Sequence, residues 1–289
     1  MPTYLDKTAS LIPFARQVIC DKATEHPHSG AYNTVMTEGS YLCRRCGLAL
    51  FRAHSQFSSG CGWPSFDGTI EDAVKQLPDA DGRRIEILCN RCDAHLGHVF
   101  TGEHFTDKNV RHCVNAAAVD FVADETVLDT EEAIVAGGCF WGVDYYLRQI
   151  PGVLIVEVGY LGGEVSEPTY EQVCQGDTGH VEAVRVVFDA AKTNYSTVLK
   201  RFFEIHDPTQ HNGQGPDIGF QYRSAVFYYN QAQHDCVMDL SHQLKANGYS
   251  VVTQIQPADV FWKAEDYHQD YYQKHPKTPY CHRVVDRFL

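Results

Sequence analysis

Long apolar runs are missing from the sequence: none approaches the ~20 residues that a membrane-spanning helix needs. The first residues, MPTYLDKTASLIPFARQ, lack a basic start followed by a long apolar core, so we expect no secretory signal and a cytoplasmic protein. Positive charge is also scarce, with 24 Lys and Arg against 37 Asp and Glu and a net charge of −13. This balance disfavours nucleic acid and membrane surfaces as partners, because both attract clustered Lys and Arg.

Cysteine, in contrast, is plentiful, with 11 residues in a chain of 289. An odd number without a secretory signal argues against a secreted disulfide scaffold. Patterned cysteines in a cytosolic chain more often bind a metal or carry out redox chemistry. Haem, flavin and nicotinamide motifs are absent from the sequence, so we expect no organic cofactor.

The pattern of turns and apolar residues predicts two domains. Residues 1–123 have short alternating stretches such as RRIEILCN and clustered cysteines, which predict a mostly β domain with twisted antiparallel sheets. The acidic residues 124–131 are typical of a linker. Residues 132–289 alternate predicted strands and helices in the order β-α-β-β-α-β-α, which favours an α+β two-layer sandwich with helices on one mixed, ferredoxin-like sheet.

Two Cys-x-x-Cys pairs stand 43 positions apart, as Cys43 with Cys46 and Cys89 with Cys92. Four thiolates suit a tetrahedral, closed zinc site, so the spacing predicts one structural Zn²⁺ in the first domain. Four unrelated core cysteines are the plain alternative. A zinc ribbon that binds nucleic acid is disfavoured by the acidic charge.

A second group of reactive residue types lies in the same domain. A nucleophilic cysteine needs a stabilised thiolate and a proton donor for the leaving group. Each residue alone is better explained by core packing or structural hydrogen bonding, but together they suggest a site. The group contains Cys61, Trp63, His95, His98, Arg111 and Cys113.

The stretch AIVAGGCFWG places Cys139 after two glycines, at a predicted change from strand to helix. Unpaired N–H groups and the helix dipole stabilise a thiolate at a helix N-terminus. Phe140 and Trp141 would form an apolar pocket beside the sulfur, although core packing also explains such rings. We therefore expect Cys139 to be a reactive thiolate.

Glu182 lies in the alternating stretch VEAVRVVFD. If the carboxyl is buried there, its pKa should rise and it could act as an acid. The alternation by itself fits an exposed polar face better, and both alternatives remain open. Tyr170, Asp217 and Tyr222 are ordinary turn and core residues when each is taken singly.

Residues 8–123 resemble a B-type methionine sulfoxide reductase through TEHPHSGAY, the two Cys-x-x-Cys pairs, SGCGWPSF, DAHLGHVF and RHCVNAAA. The resemblance implies that Cys113 is the nucleophile and Cys61 the resolving thiol. It makes His95 and His98 the pair that donates the proton and orients water. Trp63 would hold the substrate methyl, and Arg111 and Asn115 would support the thiolate and the imidazoles. The chain departs from the family pattern at His112, at Ala116 and in TGEH (101–104).

Residues 131–289 resemble an A-type methionine sulfoxide reductase through GGCFWG, GYLGG, PTYEQVCQGDTGHVEAV, HDPTQ, DIGFQYRS and AEDYHQDY. The resemblance makes Cys139 the nucleophile, Glu182 the acid and Cys281 the resolving cysteine. Phe140 and Trp141 would cradle the methyl group. The sulfoxide oxygen would be held by Tyr170, Asp217 and Tyr222. Pro216 and the tail HRVVDRFL, where a Gly-rich tail is usual, depart from the pattern.

Together the two resemblances imply reduction of both epimers of methionine sulfoxide, free or in oxidised proteins, with one epimer for each domain. The R epimer would react in the first domain and the S epimer in the second. Each disulfide would then be reduced from outside by thioredoxin. A zinc-bearing redox sensor and a disulfide isomerase are the rival hypotheses, the first predicting thiol oxidation without turnover and the second requiring free Cys-x-x-Cys pairs.

Overall fold

The computed structural model describes residues 4–289, which form two compact units that meet in sequence between Thr130 and Glu131. Within residues 4–289 every helix is too short or too polar to cross a membrane. The first unit is mostly sheet and the second has a mixed sheet with helices. Both predicted fold classes are therefore confirmed.

The first unit contains one α-helix and nine short strands. They are α1 (Pro13–Asp21), β1 (Ser40–Cys43), β2 (Ala49–Arg52), β3 (Gln56–Phe57), β4 (Ser65–Phe66), β5 (Val74–Pro78), β6 (Ile85–Cys89), β7 (His95–Thr101), β8 (Val110–Val114) and β9 (Val119–Val122). The sequence analysis did not find α1, which begins at Pro13 and buries Ala15, Val18 and Ile19.

These strands form two antiparallel sheets, one in the order β2-β1-β9 and the other in the order β3-β4-β8-β7-β6-β5. Fully buried aromatic rings of Tyr41, Phe51 and Phe66 pack in the core, with ring centroids 4.5–4.8 Å apart between Phe66 and each of the others. Strand β8 lies inside the larger sheet. Its residue Cys113 consequently has β4 on one side and β7 on the other.

The second unit contains five α-helices and eight strands. They are β10 (Thr130–Ala136), α2 (Phe140–Leu147), β11 (Val153–Leu161), α3 (Tyr170–Gln175), β12 (Val181–Asp189), α4 (Tyr195–Ile205), β13 (Gly213–Gln214), β14 (Asp217–Ile218), β15 (Ala225–Tyr228), α5 (Gln231–Ala246), β16 (Gln254–Pro257), β17 (Trp262–Lys263) and α6 (Tyr271–Lys274).

Six of these strands form a mixed sheet in the order β16-β15-β10-β12-β11-β17. The pair β15/β16 is parallel, whereas β11 is antiparallel to both of its neighbours. Apolar side chains of α2, α4 and α5 pack with Ala133 and Val135 on one face of β10, while Ile134 and Ala136 belong to a separate apolar cluster. The two central strands β10 and β12 are neighbours, which brings the segment after β10 close to β12.

Strand β12 begins and ends where the sequence predicts, but all nine of its residues are buried. An exposed polar face is therefore the wrong explanation for Glu182, which is 2% exposed. Helix α5 begins at Gln231, because the Asn230 side chain accepts a hydrogen bond from the Gln233 amide and caps the first turn.

Candidate active sites and a cysteine metal site

Both Cys-x-x-Cys pairs form the same local turn at the end of a strand. Cys43 ends β1 and Cys89 ends β6. The amide of Gly47 donates to Cys43 O at 2.8 Å, and the amide of Asp93 donates to Cys89 O at 3.0 Å. Gly47 and Asp93 have φ values of 80° and 61°, so each turn closes through a left-handed residue.

The two turns bring four buried sulfurs together, and their ligand atoms all lie within 4.8 Å of one another. The Sγ–Sγ distance is 3.6 Å between Cys43 and Cys92 and also between Cys46 and Cys89. A tetrahedral ion with Zn–S bonds near 2.3 Å needs sulfurs about 3.8 Å apart. Hydrogen bonds to the other three sulfurs, together with burial, raise the pKa of Cys43, so four thiolates here need a cation. The cluster could hold a metal ion.

The cysteine pair expected to react in the first unit is in contact, with 3.8 Å between the sulfurs of Cys61 and Cys113. Cys113 lies on β8 opposite Ser65 of β4. The Ser59 hydroxyl donates to Cys61 Sγ at 3.0 Å, and Ser65 Oγ lies 3.6 Å from the same sulfur. The SGCGWPSF segment therefore folds back over β8 and surrounds one sulfur with hydroxyl groups.

Burial raises the pKa of Cys113 to about 12, although Arg111 opposes the shift. Burial also disfavours the Cys61 thiolate, but hydrogen bonds from Ser59 and Ser65 outweigh it and lower the pKa of Cys61. Two thiols in contact share a single charge, and the proton moves between them with little change in geometry. Of the two thiols, Cys61 is therefore the more acidic, and it lies beside the thiol expected to be the nucleophile.

Arg111 links this thiol pair to a carboxylate. Its Nε and Nη2 donate to Glu103 at 2.7 and 2.9 Å, and its Nη1 lies 3.5 Å from Cys61 Sγ. Glu103 belongs to TGEH, the segment that departs from the family pattern. A bidentate carboxylate fixes the guanidinium plane, so this departure supplies the partner that orients Arg111.

The two histidines expected in this site are each bonded to a carboxylate. His95 Nδ1 lies 2.6 Å from Glu86, and His98 Nε2 lies 2.6 Å from Asp79. Among the described residues, Nε2 of His95 is a buried atom without a hydrogen-bond partner. Burial lowers the pKa of His95, while Glu86 opposes the shift. The sequence analysis missed Glu86 and Asp79, which lie outside the motif DAHLGHVF.

Trp63 and Asn115 are joined through Glu25 of the motif TEHPHSGAY. The indole Nε1 of Trp63 donates to Glu25 O at 3.1 Å, and Asn115 Oδ1 accepts from the Glu25 amide at 3.1 Å. Asn115 Nδ2 donates to Leu96 O at 3.1 Å. Since both polar atoms of Asn115 are bonded to main chain, its link to the imidazoles runs through the backbone next to His95.

In the second unit, the segment after β10 brings a cysteine and a carboxyl together. Cys139 is the residue that caps the N-terminus of α2. The amide of Phe140 donates to Glu182 Oε2 at 3.0 Å. Burial raises the pKa of Glu182 to about 8, and this hydrogen bond only partly offsets the effect. Glu182 is therefore largely protonated at neutral pH and can donate a proton.

The resting arrangement disfavours a thiolate on Cys139. A hydrogen bond with Cys281, burial and the nearby Glu182 raise the pKa of Cys139. The hydrogen bond with Cys139 lowers the pKa of Cys281 to about 6, against the effect of burial and with help from His282. The predicted helix start is confirmed, and the reactivity of Cys139 stays a prediction.

The segment that carries Cys281 is fixed against α4 and the HDPTQ segment. Gln214 Nε2 donates to Cys281 O at 3.2 Å. The Val285 amide donates to Glu204 O at 2.8 Å, and Arg287 donates to the carbonyls of Phe203 and His206, at 2.9 Å each. The tail HRVVDRFL thus satisfies the free carbonyl groups at the C-terminal end of α4.

Aromatic rings surround the start of α2. Trp141 stacks on Tyr271 with ring centroids 3.7 Å apart, and its Nε1 donates to His268 Nδ1 at 3.2 Å. The His268 ring also lies 5.1 Å from the Phe140 ring and 4.4 Å from that of Tyr170. His268 is 1% exposed. The motif AEDYHQDY contained this residue, but the sequence gave no reason to single it out from its neighbours.

Tyr170, Asp217 and Tyr222 are partly buried. Burial raises the pKa of Tyr170 and of Tyr222, and the Glu182 carboxyl adds to the effect on each, so both hydroxyls keep their protons. Asp217 accepts the Tyr280 hydroxyl on both carboxylate oxygens, at 3.0 Å each. Tyr280 immediately precedes Cys281 and was not expected in the site.

The three remaining cysteines lie outside the two sites and the four-cysteine cluster. Cys20 and Cys174 are exposed, and Cys236 is partly buried and packs against the core of the second unit. Cys174 shares a hydrogen bond with the Tyr170 side chain.

Comparison with known proteins agrees with this division of the chain. Residues 131–289 match the model of the family described as peptide methionine sulfoxide reductase, and residues 11–123 match the SelR domain. The chain belongs to the peptide methionine sulfoxide reductase family. It joins that domain to a SelR domain, and is an oxidoreductase that acts on both epimers of methionine sulfoxide.

Individual relatives match the second unit. The peptide methionine sulfoxide reductase MsrA of Saccharolobus solfataricus is 46% identical over 156 residues, 54% of this chain and 88% of the relative. The MsrA of Acinetobacter baumannii strain AYE is 48% identical over 155 residues, 54% and 90% of the two chains. Reduced Mxr1 from Saccharomyces cerevisiae superimposes with a TM-score of 0.51 at 33% identity, covering 54% of this chain and 92% of Mxr1.

Proposed function

We propose that each unit reduces one epimer with its own pair of cysteines. The observation that carries this proposal is the proximity of two thiols in each unit. Cys61 and Cys113 lie 3.8 Å apart, and Cys139 and Cys281 are close enough for each to shift the pKa of the other. A thiol in contact with another can attack it as soon as it is oxidised, which forms a disulfide without a large movement.

In the second unit, the Cys139 thiolate attacks the sulfoxide sulfur of the S epimer. Glu182 gives its proton to the oxygen, while Tyr170, Tyr222 and Asp217 hold that oxygen. Methionine leaves and Cys139 becomes a sulfenic acid. Cys281 then attacks the Cys139 sulfur, the S–O bond breaks, and water and a disulfide form. Phe140 and Trp141 hold the substrate methyl group.

In the first unit, Cys113 reacts with the R epimer and Cys61 resolves the sulfenic acid. When the Cys61 thiol is ionised, transfer of one proton across the 3.8 Å contact passes the charge to Cys113. His95 and His98 donate the proton to the oxygen and orient water, and their carboxylate partners hold both rings. Trp63 packs on the methyl group, Arg111 supports the thiolate, and Asn115 aligns the backbone.

The four-cysteine cluster holds one structural Zn²⁺ in this proposal. The distances and the closed, buried set of thiolates support it, since four sulfur ligands leave no position for substrate or water. With Cys43, Cys46, Cys89 and Cys92 bound to metal, neither Cys-x-x-Cys pair is available for disulfide exchange. The ion joins the end of β1 to the end of β6 and so fixes the sheet that carries Cys113.

Both disulfides return to thiols through an external dithiol, for which we propose thioredoxin in the cytoplasm. The chemistry supports this choice, because each turnover consumes two electrons that the chain does not supply. The substrate is methionine sulfoxide, free or in oxidised proteins. We propose residues 1–123 as the R-specific domain, 124–131 as the linker and 132–289 as the S-specific domain.

Dithiothreitol bypasses the external partner and tests the two sites directly. Pure R and S epimers of a methionine sulfoxide peptide are given to the wild type, Cys113→Ser and Cys139→Ser, with Cys20→Ser as the control. We expect Cys113→Ser to lose only R activity and Cys139→Ser only S activity. Loss of both activities in either variant would contradict independent sites, and a wild type without turnover would favour a redox sensor.

A further inference from the structure

We infer that His282 is the general base for Cys281 in the step that forms the Cys139–Cys281 disulfide. His282 is 4% exposed, and its Nδ1 lies 3.0 Å from Cys281 Sγ. Its other ring nitrogen, Nε2, lies 2.7 Å from Gly137 O. A resolving thiol must lose its proton before it attacks. The lowered pKa of Cys281 depends mainly on the Cys139 thiol, which is lost when Cys139 becomes a sulfenic acid, so a base in contact with Cys281 Sγ acts on the reacting atom.

The contact with Gly137 settles which nitrogen carries the hydrogen. A carbonyl oxygen can only accept, so Nε2 is the N–H that donates to it. In the neutral ring, Nδ1 therefore presents a lone pair to the Cys281 thiol. The imidazole has the tautomer that a base for this cysteine needs, and the backbone of the Cys139 loop fixes it.

The sequence around Cys139 makes room for this ring. A Cβ atom on Gly142 would lie 2.8 Å from Cε1 of His282 and closer still to Nδ1. Gly142 is buried within α2 and does not have a left-handed backbone, so the turn itself does not require glycine there. The last glycine of GGCFWG consequently accommodates the imidazole, which links this motif to a residue 140 positions later in the chain.

Several other charged or titratable groups lie near Cys281 and His282. Asp217 disfavours a thiolate on Cys281, and the Cys139 thiol favours one. Burial lowers the pKa of His206, which lies near His282, to about 3, so this ring stays neutral in the working range. Glu182, with a pKa of about 8, is largely neutral at pH 7.

When the Cys139–Cys281 disulfide forms, His282 takes the proton of the Cys281 thiol on Nδ1. The resulting thiolate attacks the sulfur of the Cys139 sulfenic acid. The S–S bond forms, the S–O bond breaks, and the hydroxide leaves as water after it gains one proton. His282 returns to the neutral form when it gives up its proton. This inference rests on the proposed role of Cys281 as the resolving thiol.

Single turnover of the full chain with the S epimer and no reductant separates the two steps. Methionine release measures the attack by Cys139. Disulfide formation is measured by the loss of free thiols and by mass spectrometry of the linked peptides. In His282→Gln we expect one equivalent of methionine at the wild-type rate. We expect disulfide formation to be roughly 10²-fold slower at pH 7, with a sulfenic acid that dimedone traps.

The pH profile distinguishes a base from a structural residue. Without His282, the disulfide rate should rise about tenfold for each pH unit towards the ordinary cysteine pKa of about 8.5, and approach the wild-type rate above it. Gly142→Ala, which displaces the ring and is compatible with a helix, should show the same profile. His242→Gln, an exposed histidine on α5, is the matched control and should behave as wild type.

A wild-type disulfide rate in His282→Gln at pH 7 would overturn the inference. A rate that is equally low at every pH would overturn it too, because that result indicates a structural role. Failure of the proposed function has another signature: the wild type itself would release no methionine from the S epimer, or would form no disulfide between Cys139 and Cys281.

Discussion

The backbone amide of Phe140 donates a 3.0 Å hydrogen bond to the side chain of Glu182. Phe140 directly follows Cys139, so the proposed nucleophile and the proposed acid are linked through a single peptide unit. The bond joins the first turn of α2 to the centre of the sheet. It fixes the carboxyl beside the reacting sulfur while burial keeps the carboxyl protonated. The proposed proton transfer depends on this arrangement.

Replacing Glu182 by Gln should slow methionine release from the S epimer by about 10²–10⁴-fold, because the amide keeps the hydrogen bond but has no proton to transfer. Single-turnover release of methionine measures the effect. Reduction of the R epimer by the same molecules should be unchanged, and Glu164→Gln, an exposed carboxylate in the same unit, is the control. Release at a near-normal rate would remove Glu182 from the acid role.

The rate of the first step with the S epimer should rise with pH up to about 8 and then stop rising, because the raised pKa of Glu182 places the loss of its proton there. Below that pH the Cys139 thiolate increases while Glu182 stays protonated, and above it the loss of the acid offsets the further gain in thiolate. Single-turnover methionine release between pH 6 and pH 10 checks the prediction. In Glu182→Gln this levelling should be absent, and a wild-type rate that rises throughout the range would contradict the assignment.

Replacing Cys46 by Ser should remove the bound metal and lower R-epimer activity at least tenfold, because four-cysteine sites contribute folding energy to small β domains. Elemental analysis should find about one zinc for each wild-type chain and much less in the variant. S-epimer activity should persist, since the second unit has its own core. Cys20→Ser is the control, and full R activity without metal would refute a structural ion.

Replacing Arg111 by Gln should weaken the thiolate in the first unit, because the guanidinium favours the charged form of Cys113. We expect roughly tenfold slower alkylation of this thiol pair at pH 7, with recovery at higher pH. Iodoacetamide labelling of Cys61 and Cys113, followed by mass spectrometry, measures it. Lys108→Gln provides an exposed cation as the control, and an unchanged pH profile would exclude a charge effect.

Replacing Arg287 by Gln should loosen the tail that carries Cys281, because two hydrogen bonds to the end of α4 are lost. We expect a loss of about 1–3 kcal/mol in the stability of the second unit. The temperature at which S-epimer activity is half lost should fall by several degrees, while that for R activity should not. The exposed Arg283→Gln is the control, and equal shifts in both activities would contradict a local effect.

Local patterns in the sequence predict much of the fold. The alternation in VEAVRVVFD predicts β12 with both of its ends, and the two Cys-x-x-Cys pairs do come together as one cluster. Helix α1 escapes the same reasoning because its nine residues lie in a region dominated by short strands. The full burial of β12 also could not be predicted, since it depends on elements that pack on both faces of the sheet.

The sequence alone determined the two families, the spacing of the two Cys-x-x-Cys pairs and the start of α2 directly after Cys139, because these depend on residues close together in the chain. Only the tertiary structure decided where the charges and protons lie. Cys281 approaches Cys139, and Glu103 binds Arg111, through folding of segments that the sequence keeps apart. Burial and contact, unlike periodicity, are properties of the folded chain, and they set the pKa of each thiol and carboxyl in the two sites.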